Sequence, residues 1–393
     1  MKNAFLDEYE TKRALAEFII QARRLSMDTK CFEFERAFAR YQESLDAVLF
    51  NSRGSANLAI HQSLKNLGRL KDGDKIGFSA LTWSTNTMPI IQMSMIPVPV
   101  DCSAKTLNVM SETLLSRLEE TDLQAMFITN ALGFAGDMAN IRKVCDDRGI
   151  ILIEDNCEAL GTILPEGRTG NFGVASSFSF FVAHHMSTIE GGMVCSSDDE
   201  LTEMLRIVRA NGWDRNLRSN QQHKWRAKFG VRSEFAAKYT FYDLGYNLRP
   251  TEITGFLGLV QLKALHENLK KRESNHLQIE AVIKENRDLL PIDHSHINFL
   301  SSFATPILCR TAELRKDYIA QFSGAGIEVR PMISGNIQVQ PFYSKYVKQK
   351  YALPETEFIH NCGFYCGNYP ELNEMDIETI VSCLLPKETG TIR

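Results

Sequence analysis

An α/β fold is predicted, with a large, mostly parallel sheet between two helical layers and a smaller C-terminal α+β unit after it. Three observations predict it. Runs of β-branched and aromatic residues at 75–80, 96–101, 125–130, 150–155, 175–181 and 192–196 have the length of strands. Amphipathic stretches lie between them, as in 56–67, where Leu58, Ile60 and Leu64 are apolar, and in 109–118. Strands alternating with helices imply parallel pairing with both sheet faces covered. The segment 252–289 then has few breakers and reads as one long helix leading out of the sheet. Strand and helix recur more loosely after it, which sets the expected domains at 1–250 and 251–393.

A chain of 393 residues, 44% hydrophobic and 23% charged, can bury a large core. A net charge of −4 without a Lys/Arg block offers no electrostatic footprint for nucleic acid. Asp7, Glu8 and Glu10 fall where a signal peptide needs an apolar stretch, and no run reaches the ~18 apolar residues of a membrane span. A cytoplasmic location without a membrane partner is therefore expected. The nine cysteines are odd in number and scattered, which fits reduced, buried thiols better than a disulfide framework. Cys362 and Cys366 are close-spaced but lack the further cysteines of an iron–sulfur cluster, so no metal is expected. Between 211 and 238 the chain is polar, with Gln221, Gln222, His223, Lys224 and Arg226 close together. This reads first as a mobile surface loop, and second as a loop that orders over a charged nucleotide.

The apolar run 150–155 ends in Glu154 and Asp155, with Glu158 three residues on. Acids at the carboxyl end of a parallel strand stand where α/β sheets bind ligands, and a carboxylate there can keep a pyridinium nitrogen protonated. Alone, such acids cap helices more often. The string Asn51-Ser52-Arg53-Gly54-Ser55-Ala56 has the form of a turn opening a helix, where N–H groups and hydroxyls converge on phosphate. Gly54 and Ser55 are the expected contacts. Trp83 follows a strand and can stack on a pyridine ring, although a tryptophan there is more often core. His184 and His185 stand side by side after Ser179 and before Thr188-Ile189-Glu190-Gly191-Gly192, and alternation points their rings in different directions.

This last segment closely resembles the cofactor-lysine segment of the nucleotide-sugar aminotransferases of the DegT family, in which a serine, four residues, a lysine and a Thr-x-Glu-Gly-Gly run follow one another. Counted back from Glu190-Gly191-Gly192, the lysine position holds His184. Imidazole cannot hold the cofactor covalently, and this exchange is the one the family's sugar 3-dehydratases show. The resemblance runs from about Phe34 to Pro341 and rests on an ordered set of motifs, among them Gly245-Tyr246-Asn247-Leu248-Arg249. It implies an aspartate-aminotransferase-like fold (fold type I) and pyridoxal 5′-phosphate and pyridoxamine 5′-phosphate as cofactor. It implies Asp155 at the ring nitrogen, Glu158 near the ring hydroxyl, Trp83 on the ring face, and Ser179 with Gly54 and Ser55 at the phosphate. Asn247 would reach the phosphate of the neighbouring subunit, so the active site would be shared in a homodimer. Arg330-Pro331 with Gly335-Asn336 resembles a substrate-side loop to which no role is carried over.

The activity implied is removal of the C3 hydroxyl from a nucleotide-linked 4-keto-6-deoxyhexose, with L-glutamate restoring the amine form of the cofactor and ammonia released. His184, with an ordinary pKa near ~6.5, is suited to take a proton at neutral pH. GDP is the expected nucleotide because the motifs look closest to the colitose-type branch; CDP- and dTDP-sugars are the alternatives. An iron–sulfur dehydratase, a lysine-independent aminotransferase and a non-catalytic sugar-nucleotide-binding relative are the other readings.

Overall fold

The computed structural model describes residues 3–386. Seven strands form the larger sheet: β1 (Asp46–Phe50), β2 (Lys75–Ser79), β3 (Ile96–Val100), β4 (Ala125–Thr129), β5 (Ile151–Asp155), β6 (Ala175–Ser179) and β7 (Gly192–Ser196). Their order is β1-β7-β6-β5-β4-β2-β3. β7 runs antiparallel to both neighbours, while β6, β5, β4, β2 and β3 pair parallel. The six expected strands are all present. β1 was not expected, because nothing in the short run Asp46–Phe50 separates it from the helix before it; pairing with β7 makes it a strand. β6 stops at Ser179 rather than 181, so the tandem histidines lie in the connection beyond the sheet.

Four strands build the second sheet: β8 (Leu289–Leu290), β9 (Ala304–Cys309), β10 (Val329–Pro331) and β11 (Gly363–Gly367), in the antiparallel order β8-β9-β11-β10. We propose the domain boundary at 250/251, between the strands of the two sheets.

The segment 252–289 is not one helix. It divides into Glu252–Leu262 and Leu265–Glu285, with Lys263 and Ala264 forming a turn between the two helices. The break lets one segment serve two cores: Leu265 and Leu269 bury with Phe34 and Phe38, whereas Ile279 and Ile283 bury with Phe322 and Phe364 of the small unit. The first piece approaches helix Thr29–Gln42 closely because Gly255 and Gly258 carry no side chain. A Cβ on Gly258 would stand 2.3 Å from the Phe34 ring. We therefore expect Gly258→Ala to destabilise the fold by about 1–3 kcal/mol through overpacking, measured by denaturant unfolding.

The polar stretch 211–238 is not a loop either. It contains helices Ser219–Lys228 and Glu234–Ala237. The buried Trp225 indole donates to Glu203 Oε2 at 2.8 Å, and Arg226 Nε pairs with Asp214 Oδ2 at 2.7 Å. Helix Ser219–Lys228 is ordered by its partner Glu203, which lies outside the stretch. All nine cysteines are buried and free. Among the described residues no helix is long and apolar enough to cross a membrane.

Candidate active site

The carboxyl ends of β2, β4, β5 and β6 all face one way, and a cavity of about 580 Å³ lies against the residues that follow them. Its walls include Ser52, Arg53, Gly54, Trp83, Thr85, Glu158, Ser179 and His184 from the large sheet's connections, with Phe303, Arg330 and Tyr365 from the small unit.

After Ser179 the chain turns sharply: His184 N–H donates to the Phe181 carbonyl and Thr188 N–H to that of Phe180, each at 2.9 Å. The Gly191-Gly192 pair is required for this turn to close. A Cβ on Gly192 would stand 2.4 Å from the Ser52 carbonyl oxygen, so only glycine lets this turn lie against the turn at Ser52.

His184 is 9% exposed and lines the cavity. Its Nδ1 lies 2.9 Å from the carbonyl oxygen of Cys157. A carbonyl only accepts, so Nδ1 carries the proton and Nε2 keeps its lone pair. The expected pKa near ~6.5 does not hold: burial, and then the Arg53 guanidinium, lower it to about 3. The ring is thus neutral throughout the physiological range. His185 points elsewhere: its Nε2 lies 3.2 Å from the Ser301 carbonyl, and it does not line the cavity. The ring of Phe303 stands 5.1 Å from the first imidazole and 5.8 Å from the second.

Asp155 is 1% exposed at the end of β5. It is ion-paired to Arg53, accepts from Asn86 Nδ2 at 2.6 Å, and accepts the Cys157 N–H at 3.0 Å. Burial alone would raise its pKa, but the Arg53 guanidinium and the hydrogen bonds from Cys157 outweigh burial and hold the carboxyl below its usual range. Glu158 borders the cavity and accepts the Leu132 N–H at 2.9 Å. Burial pushes its carboxyl up to about 7.

Helix Arg53–Asn66 opens beside these acids. Ser52 caps it, accepting the Ser55 N–H at 3.2 Å, and the two hydroxyl oxygens lie 3.1 Å apart. The cavity wall is therefore Ser52, Arg53 and Gly54, while Ser55, tied to Ser52, does not line it. Trp83 is not core: it is 48% exposed at the cavity, just before helix Ser84–Gln92.

The structure thus gathers Gly54, Trp83, Glu158, Ser179 and His184 around one cavity, with Asp155 joined to it through Arg53. Ser55 and Asn247 do not line it. Asn247 is exposed and its Oδ1 accepts from Arg249 Nε at 3.1 Å. Sequence reasoning left Arg53 without a role and did not single out Thr85, Asn86, Phe303 or Tyr365. Thr85 and Asn86 sit right after Trp83 and were within reach of the same strand-end logic. Phe303, just before β9, and Tyr365, in β11, come from the small unit and carried no local signal.

A largely parallel sheet with one reversed strand, a buried acid at the end of β5 and a glycine-closed turn after β6 define an α/β protein of the aspartate-aminotransferase-like fold. Residues 7–385 match the DegT/DnrJ/EryC1/StrS aminotransferase family, and the chain belongs to that family. It is 31% identical over 360 residues to the GDP-4-keto-6-deoxy-D-mannose 3-dehydratase of Escherichia coli O55:H7, covering 89% of this chain and 90% of that one. It is 27% identical to the GDP-perosamine synthase of Caulobacter vibrioides, covering 90% of this chain and 88% of the other. A crystal structure of GDP-4-keto-6-deoxymannose-3-dehydratase with a trapped PLP-glutamate geminal diamine superposes with a TM-score of 0.88 at 29% identity, over 95% of this chain and 97% of that one.

Proposed function

We propose that this chain is a pyridoxamine phosphate-dependent 3-dehydratase of a nucleotide-linked 4-keto-6-deoxyhexose, with GDP-4-keto-6-deoxy-D-mannose as the preferred substrate. One observation carries the proposal: where the family's aminotransferases have lysine, a cavity-lining imidazole stands with Nδ1 tied to a carbonyl and Nε2 free to accept a proton. The similarity to a 3-dehydratase over most of both chains supports it.

The donor set fits the cofactor. Thr85 Oγ1 is buried without a partner beside Ser52, Gly54 and Ser179, at the opening of helix Arg53–Asn66. Asp155 supplies the carboxylate for the ring nitrogen once Arg53 releases it, Trp83 the stacking face and Glu158 a group for the ring hydroxyl. When bound, the cofactor supplies an amine that condenses with the C4 ketone and a ring that withdraws electrons from it. His184 Nε2 accepts a proton within the cavity and returns it to the C3 hydroxyl as that group departs as water. Over a full cycle the sugar exchanges its C3 hydroxyl for hydrogen, while glutamate is oxidised to 2-oxoglutarate and its nitrogen leaves as ammonia. Asn247, exposed and outside its own chain's cavity, is available to a second subunit, which supports a homodimer with shared sites. Nine buried free thiols suit the reducing cytoplasm, where we place the enzyme.

The test is incubation of the protein with pyridoxal phosphate, L-glutamate and GDP-4-keto-6-deoxy-D-mannose, following ammonia and product mass. One ammonia per sugar and a product lighter by one oxygen are expected. An amino sugar without ammonia would make the chain an aminotransferase, the second reading, which the likeness to a perosamine synthase supports. No reaction would move the search to CDP- and dTDP-sugars and then to the non-catalytic relative.

A pH dependence follows from Glu158. With its pKa near 7 it is largely protonated below neutrality and ionises above it, placing a second negative charge near Asp155. Affinity for pyridoxamine phosphate is expected to fall several-fold between about pH 6 and 8, and Glu158→Gln to flatten that slope in a fluorescence titration. His184, held neutral far below this window, contributes no limb there.

A further inference from the structure

A second cluster of ligating side chains lies away from the cavity. His276 and Glu280 are four residues apart on helix Leu265–Glu285, which puts them on one face. His294 reaches them from the segment after β8, with Nε2 2.8 Å from Glu280 Oε1. One ligand atom from each of the three lies within 4.8 Å of the others. None of the three lines the cavity that holds His184.

The imidazole of His276 is the unexplained part. It is 2% exposed, yet neither Nδ1 nor Nε2 has a hydrogen-bond partner. Native interiors rarely leave such a group unmatched, and an unmatched one calls for a missing ligand. The ring of Phe134 packs edge-on against both imidazoles, at 5.5 and 6.0 Å, and limits how they can turn. Glu280 is already oriented: Lys284 Nζ holds Oε2 at 2.9 Å, leaving Oε1 toward the histidines. A cavity of about 310 Å³ bordered by Glu280, Lys284, Asp293 and His294 gives solvent a way in.

We propose that His276, Glu280 and His294 bind a divalent transition-metal ion of the zinc class, with water in the fourth position facing that cavity. Two imidazoles and a carboxylate are a donor set zinc accepts at roughly 2.0–2.2 Å. Tetrahedral ligands at that radius stand roughly 3.3–3.6 Å apart, so the His294–Glu280 hydrogen bond opens by less than an ångström as the ion takes the place of its proton. The ion would tie the long helix to the segment after β8, which also reaches the large unit through His296 Nε2 and the Ala135 carbonyl, 2.9 Å apart. Sequence reasoning expected no metal because it looked for cysteines; a pair four apart and a histidine 14 residues beyond Glu280 make no recognisable motif.

The untagged protein, stripped with a chelator, is titrated with Co²⁺ and the visible d–d absorption followed, then chased with Zn²⁺. One Co²⁺ per chain with a four-coordinate spectrum, displaced by Zn²⁺, is the expected result. His294→Ala, chosen because His294 is 19% exposed and its loss is tolerable to the fold, should weaken binding at least tenfold, as should Glu280→Gln. His184→Asn should leave it unchanged, which separates this site from the proposed active site. Zn²⁺ should raise the melting temperature of the parent and not of His294→Ala. Absent stoichiometric binding, or equal affinity in parent and His294→Ala, overturns the proposal.

Discussion

His184→Asn is expected to abolish ammonia release and sugar deoxygenation, with a loss of about 10²–10⁴ in rate, while His185→Asn keeps most of the activity. The asparagine amide retains a donor for the Cys157 carbonyl, so the turn after β6 keeps its shape, but no basic nitrogen remains at the position of Nε2. The loss is therefore of proton transfer, and the melting temperature of this variant should stay near that of the parent. His185→Asn has the opposite profile. Its ring is buried against Ser301, so stability falls while turnover persists. Measuring rate and melting temperature of both variants distinguishes the two histidines. Activity lost in His185→Asn and kept in His184→Asn would mean that the counting back from Gly191-Gly192 is off by one residue.

Arg53→Gln is expected to lower the stability of the cofactor-free protein by about 3–5 kcal/mol, because it leaves the Asp155 carboxylate buried without its cation. Asn86 and the Cys157 N–H still donate to that carboxylate, but neither brings a charge. A bound cofactor with a protonated ring nitrogen brings one. Pyridoxamine phosphate should therefore raise the melting temperature of Arg53→Gln by more than it raises that of the parent, in which the cation is already present and must be displaced. Equal shifts in the two proteins would mean that the ring does not take the place of the guanidinium. This experiment needs no substrate and no turnover.

Much of the fold was legible because its signals are local. The strands are short apolar runs with turns at their ends; Asp155 stands where its run stops and Trp83 shortly after the run 75–80, whereas Ser179 was legible from its spacing to His184. The tandem histidines were legible from the spacing to Gly191-Gly192, a pair that the close approach of Ser52 requires. What was not legible depends on partners far away in the chain. The break at Ala264 comes from two cores competing for one segment. The polar stretch 211–238 folds because Trp225 finds Glu203. The pKa of His184 departs from its ordinary value because burial, and then Arg53, act on it from elsewhere in the chain, which its neighbours in sequence do not reveal. Ser55 looked equal to Gly54 in the sequence, but its hydroxyl is engaged with Ser52 and does not line the cavity.

The central claim is that this chain holds its cofactor without a covalent bond and leaves the proton work to His184. Its most direct test is borohydride reduction of the protein loaded with pyridoxal phosphate, followed by intact mass, with His184→Lys treated alongside. The parent should keep its unmodified mass, and His184→Lys should gain one phosphopyridoxyl group. A stoichiometric adduct on a lysine of the parent would contradict the claim and return the chain to the lysine-dependent aminotransferases.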